Sequence, residues 1–417
     1  MSTAHNRTVV RVMNRIGLFL FAELLLNSID RVNVSFAALQ MNDELGFDPK
    51  IYGFGVGIFF VSYILLQVPA AEILRRYGAA RPLSFMIIAW GLVSFLSGFI
   101  YDPYSFYFFR FLLGAAEAGS STATLLYMST WVPQAAAGRF MSRVAMAMPL
   151  AMIVGGPLSG FLMTAFHEYG DISGWRWMFY IEGGATVLFG LWALTWLKSS
   201  PAEAKWLTSE ERNWLVSAIE SEGEANRIRL AASGASAGGG EIRTTLHVVT
   251  NPVIWLLALG MFGVAMGFYG LTYWLPQVIS MMTGNTGVML ITALTAVPAL
   301  CNVLGMWIMG WSADRSNERR YHFFAGTLIG FTGLGLAPLA PSPSLALLLL
   351  CVGGFGLGGA HAVFFGLPVG FLRGAPAAAT GFAFINMLAS SAGLIGANVI
   401  AALRASSGSF SLPLYMM

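Results

Sequence analysis

Long apolar runs, separated by short polar connections, recur along almost the whole chain. A helix needs about 20 mostly apolar residues to cross the hydrocarbon core of a bilayer, and runs of that length occur many times here. The pattern predicts an all-α integral membrane protein with eleven spans. Within several residues, the predicted spans are 15–39, 52–74, 82–101, 105–130, 140–166, 176–197, 253–281, 287–311, 322–340, 344–367 and 377–403.

One long polar stretch, residues 198–252, divides these spans into a group of six and a group of five. We therefore predict an N-terminal six-helix bundle in residues 1–197, a cytoplasmic linker in 198–252 and a C-terminal bundle in 253–417. This layout is typical of two bundles that move against each other around a site near the membrane midplane.

The linker itself has two parts. Residues from Pro201 to about Glu222 have the pattern of a surface helix, and Thr208 and Glu211 have the spacing of a capping box at its start. Residues 232–240 (ASGASAGGG) have the composition of a flexible connection.

The second bundle has one span fewer than the first. Residues 404–417 are too few to cross a bilayer. We expect either an eleven-span protein whose C-terminus lies outside, or a sequence from which a twelfth helix is missing.

Composition agrees with a membrane protein and excludes several other classes. The chain is 56% hydrophobic and 10% charged, whereas soluble domains have about 25% charged residues. The small net charge of +3 comes from basic loops and gives no reason to expect a nucleic-acid partner. The five histidines have no metal-ligand spacing, and the glycine cluster 353–359 lies in a span with no lysine after it. We therefore predict no metal, no cofactor, no catalytic residues and no enzymatic activity, and we expect a monomer in the lipid bilayer.

Lysine and arginine are concentrated in alternate connections, while the connections 102–104, 282–286 and 341–343 are nearly free of them. Basic loops remain on the cytoplasmic side of a membrane. We expect a multi-pass protein of the cytoplasmic (inner) membrane with a cytoplasmic N-terminus. The basic loops contain Arg75, Arg76 and Arg81; Arg139 and Arg143; Arg315, Arg319 and Arg320; and Arg373.

Four ionisable residues lie inside predicted spans of the first half: Asp30, Arg31, Arg110 and Glu117. Such residues cost about 2.5–3.5 kcal/mol each on insertion scales and are candidates for function. Two guanidinium groups facing a cavity suit a small organic anion, such as a carboxylate, and two carboxylates beside them suit coupling to protons. The alternative is structural: Asp30–Arg110 or Arg31–Glu117 are ion pairs that only hold helices together.

Several other polar or aromatic residues in the spans are weaker candidates for a binding site. Tyr63 and Gln67 are one turn apart on the second span, as are Tyr269 and Tyr273 on the seventh. Phe364 and Phe365, with Tyr269 and Tyr273, are suited to an aromatic ring of the ligand or equally to a hydroxylated aliphatic acid such as tartrate. His361 is either a hydrogen-bonded core residue or a proton relay.

At these residues the sequence resembles the anion:cation symporter family of the major facilitator superfamily, and within it the tartrate, phthalate and 4-hydroxyphenylacetate permeases. The resemblance implies twelve helices, alternating access and import of organic anions with protons. It also implies that Arg31 and Arg110 bind a substrate carboxylate, that Asp30 and Glu117 take the coupling protons, and that Tyr63 and Asn386 line the site. The stretches that carry it are IDRVNVSFA (29–37), YGFGVGIFFVSYILLQVP (52–69), RFLLGAAEAG (110–119), GWRWMFYIEG (174–183), PAEAKWLTSEER (201–212), WSADRSNERRYH (311–322) and FLRGAPAAATGFAFIN (371–386).

The sequence departs from this family in ways that bear on function. We expect the last helix to be missing, and Phe364-Phe365-Gly366 stands where the family often has a tryptophan. Two other functions therefore stay open. One is export or exchange of organic anions, for which the Gly155-Gly156-Pro157 turn is typical; the other is a non-transporting membrane sensor.

Overall fold

The computed structural model describes residues 3–232, 250–284, 286–364, 366–367 and 378–416. Within these ranges the regular structure is helical, as the sequence predicts. The helices are α1 (Thr3–Leu45), α2 (Pro49–Tyr77), α3 (Ala80–Leu96), α4 (Pro103–Glu117), α5 (Ser120–Ser129), α6 (Gln134–Ala145), α7 (Ala147–Ala165), α8 (Gly174–Trp196), α9 (Ser209–Ala232), α10 (Pro252–Thr283), α11 (Val288–Ser316), α12 (Arg320–Leu336), α13 (Pro343–Phe364), α14 (Ala378–Ser407) and α15 (Ser411–Met416).

The apolar runs become long helices. In the described part of the chain, nine helices are long and apolar enough to cross a membrane. The two other predicted spans are 15–39, which lies within α1, and 105–130, which is divided between α4 and α5. These two spans and the nine helices together account for the eleven predicted spans.

Two spans that we predicted as continuous contain a break. The fourth is interrupted at Ala118 and Gly119, directly after Glu117, and the fifth at Met146. Glycine weakens a helix because it gains the most backbone freedom on unfolding, and Gly119 also lies where an added Cβ would meet the side chains of Ala70 and Met86. The first break therefore falls beside a buried carboxylate, in a helix that borders the centre of the molecule.

The linker helix starts later and ends later than predicted. α9 begins at Ser209, and Pro201–Glu203 form only a short 3-10 turn. The capping box is confirmed: Glu211 N donates to Thr208 Oγ1 at 3.2 Å, and Thr208 N donates to Glu211 Oε2 at 3.0 Å. The predicted flexible stretch 232–240 lies outside the described residues except for its first residue.

The helices before and after the linker approach each other closely at one end of the molecule, called here the closed end. An added Cβ at Gly53 of α2 would collide with Ala401 of α14, and one at Gly160 of α7 would collide with Thr292 of α11. Tyr52 Oη donates to the backbone oxygen of Tyr273 in α10 at 2.8 Å. Small residues allow such close helix packing in a membrane, so this end is sealed by contacts between the two groups of helices.

Candidate functional site

A cavity of about 630 Å³ lies between the helices that precede the linker and those that follow it. Its wall includes exposed residues of α5 and α7, among them Ser121, Thr122 and Met148, on the side away from the closed end. We call that side the open end. The polar and aromatic residues in the wall are Ser28, Arg31, Tyr63, Gln67, Ser121, Thr122, Phe268, Tyr269, Thr272, Tyr273, Asn302, His361, Asn386 and Ser390.

Arg31 is the cationic residue in the cavity wall. Its Nη2 and Nε atoms donate to Glu117 Oε2 at 2.6 and 2.9 Å, and Nη2 lies 3.4 Å from Asn27 Oδ1. The guanidinium also lies over the ring of Tyr63, at 5.2 Å from its centroid. α1 thus places a paired cation at the surface of the cavity.

Glu117 is the last residue of α4 and is completely enclosed. Only its Oε2 atom accepts hydrogen bonds from the described residues, and Oε1 is buried without a partner among them. Buried carboxylate oxygens are normally hydrogen-bonded. The Arg31–Glu117 pairing is one of the two that the sequence allowed, and it joins α1 to α4 at the cavity wall.

Asp30 faces away from the cavity although it is adjacent to Arg31. Its two oxygens accept from Ser94 Oγ on α3 and Thr186 Oγ1 on α8, both at 2.8 Å. Successive residues of a helix point about 100° apart, so α1 directs the two charged side chains to different neighbours. Asp30 is therefore enclosed among α1, α3 and α8, without direct contact with Arg110.

Arg110 is also buried and does not reach the cavity surface. Its Nε donates to the backbone oxygen of Gly55 at 3.4 Å, and its side chain also interacts with the hydroxyl of Tyr273. Its guanidinium lies 4.9 Å from the ring centroid of Phe59, and Arg31 lies 5.4 Å from the same ring. Phe59 thus links the two predicted anion-binding arginines, only one of which is in the cavity wall.

Six of the weaker candidates do line the cavity: Tyr63, Gln67, Tyr269, Tyr273, His361 and Asn386. Tyr269 and Tyr273 stack on each other with 6.3 Å between ring centroids. The Tyr273 hydroxyl is buried and interacts with the side chain of Arg110. Phe365 lies outside the described residues, while Phe364 is buried.

Sequence reasoning missed Phe59 and Asn27, both of which contact Arg31. A phenylalanine in an apolar span carries no signal of its own, because most such residues only fill the core or face lipid. Asn27 had a signal: it lies one helical turn before Arg31, and residues four apart share a helix face.

Comparisons with known proteins identify relatives along the whole chain. The model of the Major Facilitator Superfamily matches residues 20–397. A protein of Agrobacterium vitis with the name "Putative tartrate transporter" is 36% identical over 411 residues, which cover 99% of this chain and 88% of that protein. The "Quinolone resistance transporter" of Acinetobacter baumannii is 33% identical over 390 residues, which cover 93% of this chain and 86% of that protein.

The fold is also shared with solved structures. A bacterial homologue of the human lysosomal transporter Spinster, in an inward-facing and unoccupied conformation, superposes with a TM-score of 0.77 at 17% sequence identity. The superposition covers 95% of this chain and 83% of that chain.

Proposed function

The chain belongs to the Major Facilitator Superfamily and is a multi-pass membrane transporter rather than an enzyme; from this we propose that it imports a small organic anion together with protons by alternating access. The substrate class is a carboxylate such as tartrate, phthalate or a hydroxyphenylacetate-like acid. The observation that carries the proposal is the Arg31–Glu117 ion pair, which has one member in the cavity wall and the other enclosed behind it.

The substrate carboxylate binds to Arg31. The guanidinium has five N–H donors, and the described residues use only those on Nε and Nη2. An anion in the cavity therefore meets free donors of Arg31 and competes with Glu117 for the others. Because guanidinium and carboxylate groups match in a bidentate geometry, a substrate carboxylate is an effective competitor.

Proton coupling follows from the same competition. When the substrate engages Arg31, Glu117 loses its cation while it remains enclosed. A buried charge without a partner costs several kcal/mol, and binding a proton removes that charge. Substrate and proton therefore bind together, and Glu117 can release the proton only when it regains Arg31.

The remaining candidates take supporting parts. Tyr273 and Asn386, both in the cavity wall, suit hydroxyl groups of the ligand, while Tyr63 and Tyr269 suit its carbon skeleton. Arg110 supports the site through Phe59 in this conformation and reaches the substrate in another. Asp30 is a second proton-binding carboxylate.

The open end is proposed to face the cytoplasm of a cell with an inner membrane. Loops with several arginines lie at this end, such as those around Arg75 and Arg319, and basic loops stay cytoplasmic. The N-terminus is then cytoplasmic, and the closed end faces outward. Residues 1–197 and 253–417 are the two bundles that rock against each other, with 198–252 as the cytoplasmic linker.

Export is the second candidate function. It is favoured by the similarity to a protein named as a quinolone resistance transporter. The Gly155-Gly156-Pro157 segment, which the sequence suggested as a turn, lies within helix α7, where Gly156 packs against Thr292 and Thr295 of α11. An exporter moves protons into the cell while the anion leaves, so the direction of the two fluxes separates the alternatives.

The test is a pH measurement on de-energised bacterial cells that express the protein. Tartrate, phthalate and 4-hydroxyphenylacetate are added one at a time, and the external pH is recorded. We expect alkalinisation with at least one anion, no response in Arg31→Ala, and a full response in Arg320→Ala, which removes an exposed arginine far from the cavity. Proton flow against the anion, or the same response in Arg31→Ala, contradicts the proposal.

A further inference from the structure

We propose that Glu23 is a further proton-binding site, which carries the proton between Glu117 and the open end. The proposal rests on the proposed function, because it assigns the route of the proton that the function requires. Glu23 is 1% exposed, and the mechanism above leaves it unused.

Glu23 lies on the same stripe of α1 as the central ion pair. Glu23, Asn27 and Arg31 are spaced four residues apart, so their side chains follow one another along one face of the helix. Eight residues of a helix rise about 12 Å, and α1 runs from the open end toward Leu45 at the closed end. Glu23 is therefore about two turns nearer the open end than Arg31.

The facing wall is formed by the broken span α4–α5. Glu117 ends α4, and Thr124 lies two turns further along in α5, where its Oγ1 donates to Glu23 Oε2 at 3.0 Å. α1 and α4–α5 thus share a buried polar seam: Arg31 meets Glu117 at one level, and Glu23 meets Thr124 at the next. This seam runs through otherwise apolar packing, in which Ile16, Leu20 and Ala123 are buried.

Asn27 lies between these two levels. Its Nδ2 atom is buried, and its side chain interacts with Glu117. A primary amide has two N–H donors, so Asn27 can hold both carboxylates in one hydrogen-bonded network. The charged groups that act on Glu23 are Glu117 of α4 and Arg31 of α1, and Arg31 is engaged by Glu117.

A purely structural role explains Glu23 less well. Its one hydrogen bond from a side chain comes from a hydroxyl, and no cation among the described residues is ion-paired with it. A buried carboxylate in that setting is costly as a fixed charge. Glutamine would accept the same bond from Thr124 without that cost, so a carboxyl group here is explained by its ability to bind and release a proton.

The transfer step balances as follows. Protonated Glu117 gives up its proton to the Glu23 carboxylate; Glu117 becomes charged and Glu23 neutral. In the same step Arg31 leaves the substrate and returns to the charged Glu117, and the substrate is freed toward the open end. Glu23 finally releases the proton to water at the open end and returns to its charged state.

The experiment uses the full chain in proteoliposomes and an anion that the pH assay identifies. Exchange of labelled anion for unlabelled anion needs no net proton movement, whereas net uptake driven by a pH gradient does. We expect Glu23→Gln to retain exchange, whereas its rate of net uptake falls about 10²-fold, because loss of a proton-transfer group slows a reaction by about that factor. Glu23→Asp restores net uptake because it restores a carboxyl group.

The matched control is Glu72→Gln, which also removes a carboxyl group from the first half. Glu72 pairs with Arg75 and Arg76 at the surface of α2, away from the seam. We expect both exchange and net uptake to stay at the wild-type level in this variant. Wild-type net uptake in Glu23→Gln overturns the proposal, while the proposed function stands as long as the wild type moves protons with the anion.

If Glu23→Gln does not fold, Thr124→Val provides the test, since it keeps the carboxyl group and removes its hydrogen-bond donor. We expect exchange to persist and the pH profile of net uptake to move. An unchanged profile overturns the inference. Exchange without proton movement in the wild type is a different result, because it overturns the proposed function itself.

Discussion

Arg31 and Glu117 are ion-paired across α1 and α4, yet they differ in their access to the cavity: 19% of the Arg31 side chain is exposed and 0% of the Glu117 side chain. A ligand can therefore reach the cation but not the carboxylate. In the proposed mechanism this difference allows the pair to switch. The substrate draws Arg31 away from Glu117, and no water can reach the Glu117 carboxylate to take the place of Arg31.

Replacement of Arg31 by lysine tests the role of the guanidinium. Lysine keeps the charge but loses the planar fork that holds two oxygens at once. We expect the KM for anion uptake to rise by about tenfold or more, which corresponds to about 1.4 kcal/mol. Arg320→Lys is the control, and an unchanged KM in Arg31→Lys argues against direct binding of the anion by this residue.

Replacement of Asp30 by asparagine separates coupling from structure. The asparagine keeps one oxygen for Ser94 or Thr186 but cannot bind a proton. We expect net uptake to lose its response to a pH gradient, while exchange of labelled anion continues. Ser94→Ala weakens the same network without removing the carboxyl group. If both variants lower stability equally and leave the pH response unchanged, Asp30 is structural.

The hydroxyl of Tyr52 is predicted to stabilise the closed end, because it donates to the backbone of Tyr273 across the two groups of helices. One such bond contributes about 1 kcal/mol, and 1 kcal/mol changes a two-state ratio about fivefold. The probe is a cysteine introduced in the cavity wall by Ser28→Cys, in a chain that also carries Cys301→Ala and Cys351→Ala. When Tyr52→Phe is added, we expect this cysteine to be labelled faster from outside intact cells. Unchanged labelling contradicts this role.

Glycine at position 160 is predicted to be necessary for closure at the same end. A larger side chain would collide with Thr292, so Gly160→Val should keep α7 and α11 apart and increase the same labelling from outside. Gly335→Val is the matched control, since nothing lies within 4 Å of an added Cβ there. Equal labelling in the two variants rules out the proposed contact as a gate.

Asn386 is predicted to contribute to the choice of substrate. It is exposed in the cavity wall and can hydrogen-bond a ligand hydroxyl. We expect Asn386→Ala to reduce uptake of a hydroxylated acid such as tartrate more than that of phthalate, which has no hydroxyl group. Competition between the two acids measures the ratio of their uptake rates. Equal losses for both acids indicate that Asn386 does not hydrogen-bond a ligand hydroxyl.

Long apolar runs are a strong signal, so the position of most helices follows from the sequence. The ends of α1 and the breaks in two spans did not follow from the sequence. α1 extends from Thr3 to Leu45, well beyond the predicted 15–39, because an amphipathic helix continues outside the apolar run. Valine and isoleucine at 9, 12 and 16 are buried there, while Arg11 pairs with Glu211 of the linker.

The candidate site was predictable to the extent that charge inside a membrane is rare and costly. Arg110 and Glu117 are seven residues apart, close to two helical turns, so their spacing predicts one face of α4, and both are buried there. The direction of each side chain was not predictable, because α1 is surrounded by protein on several sides. Asp30 and Arg31 are neighbours in sequence, but only the packing of α3 and α8 decides which of them faces the cavity.

The most direct test of the account is the number of protons taken up when the purified protein binds the anion in detergent. A pH-sensitive dye in weak buffer reports it for the wild type and for Glu117→Gln. We predict a proton taken up with each anion bound by the wild type, and binding without proton uptake in Glu117→Gln, since glutamine has no charge to neutralise when Arg31 leaves. Equal proton uptake in both proteins, or anion binding by the wild type with none, would contradict the exchange of partners at Arg31.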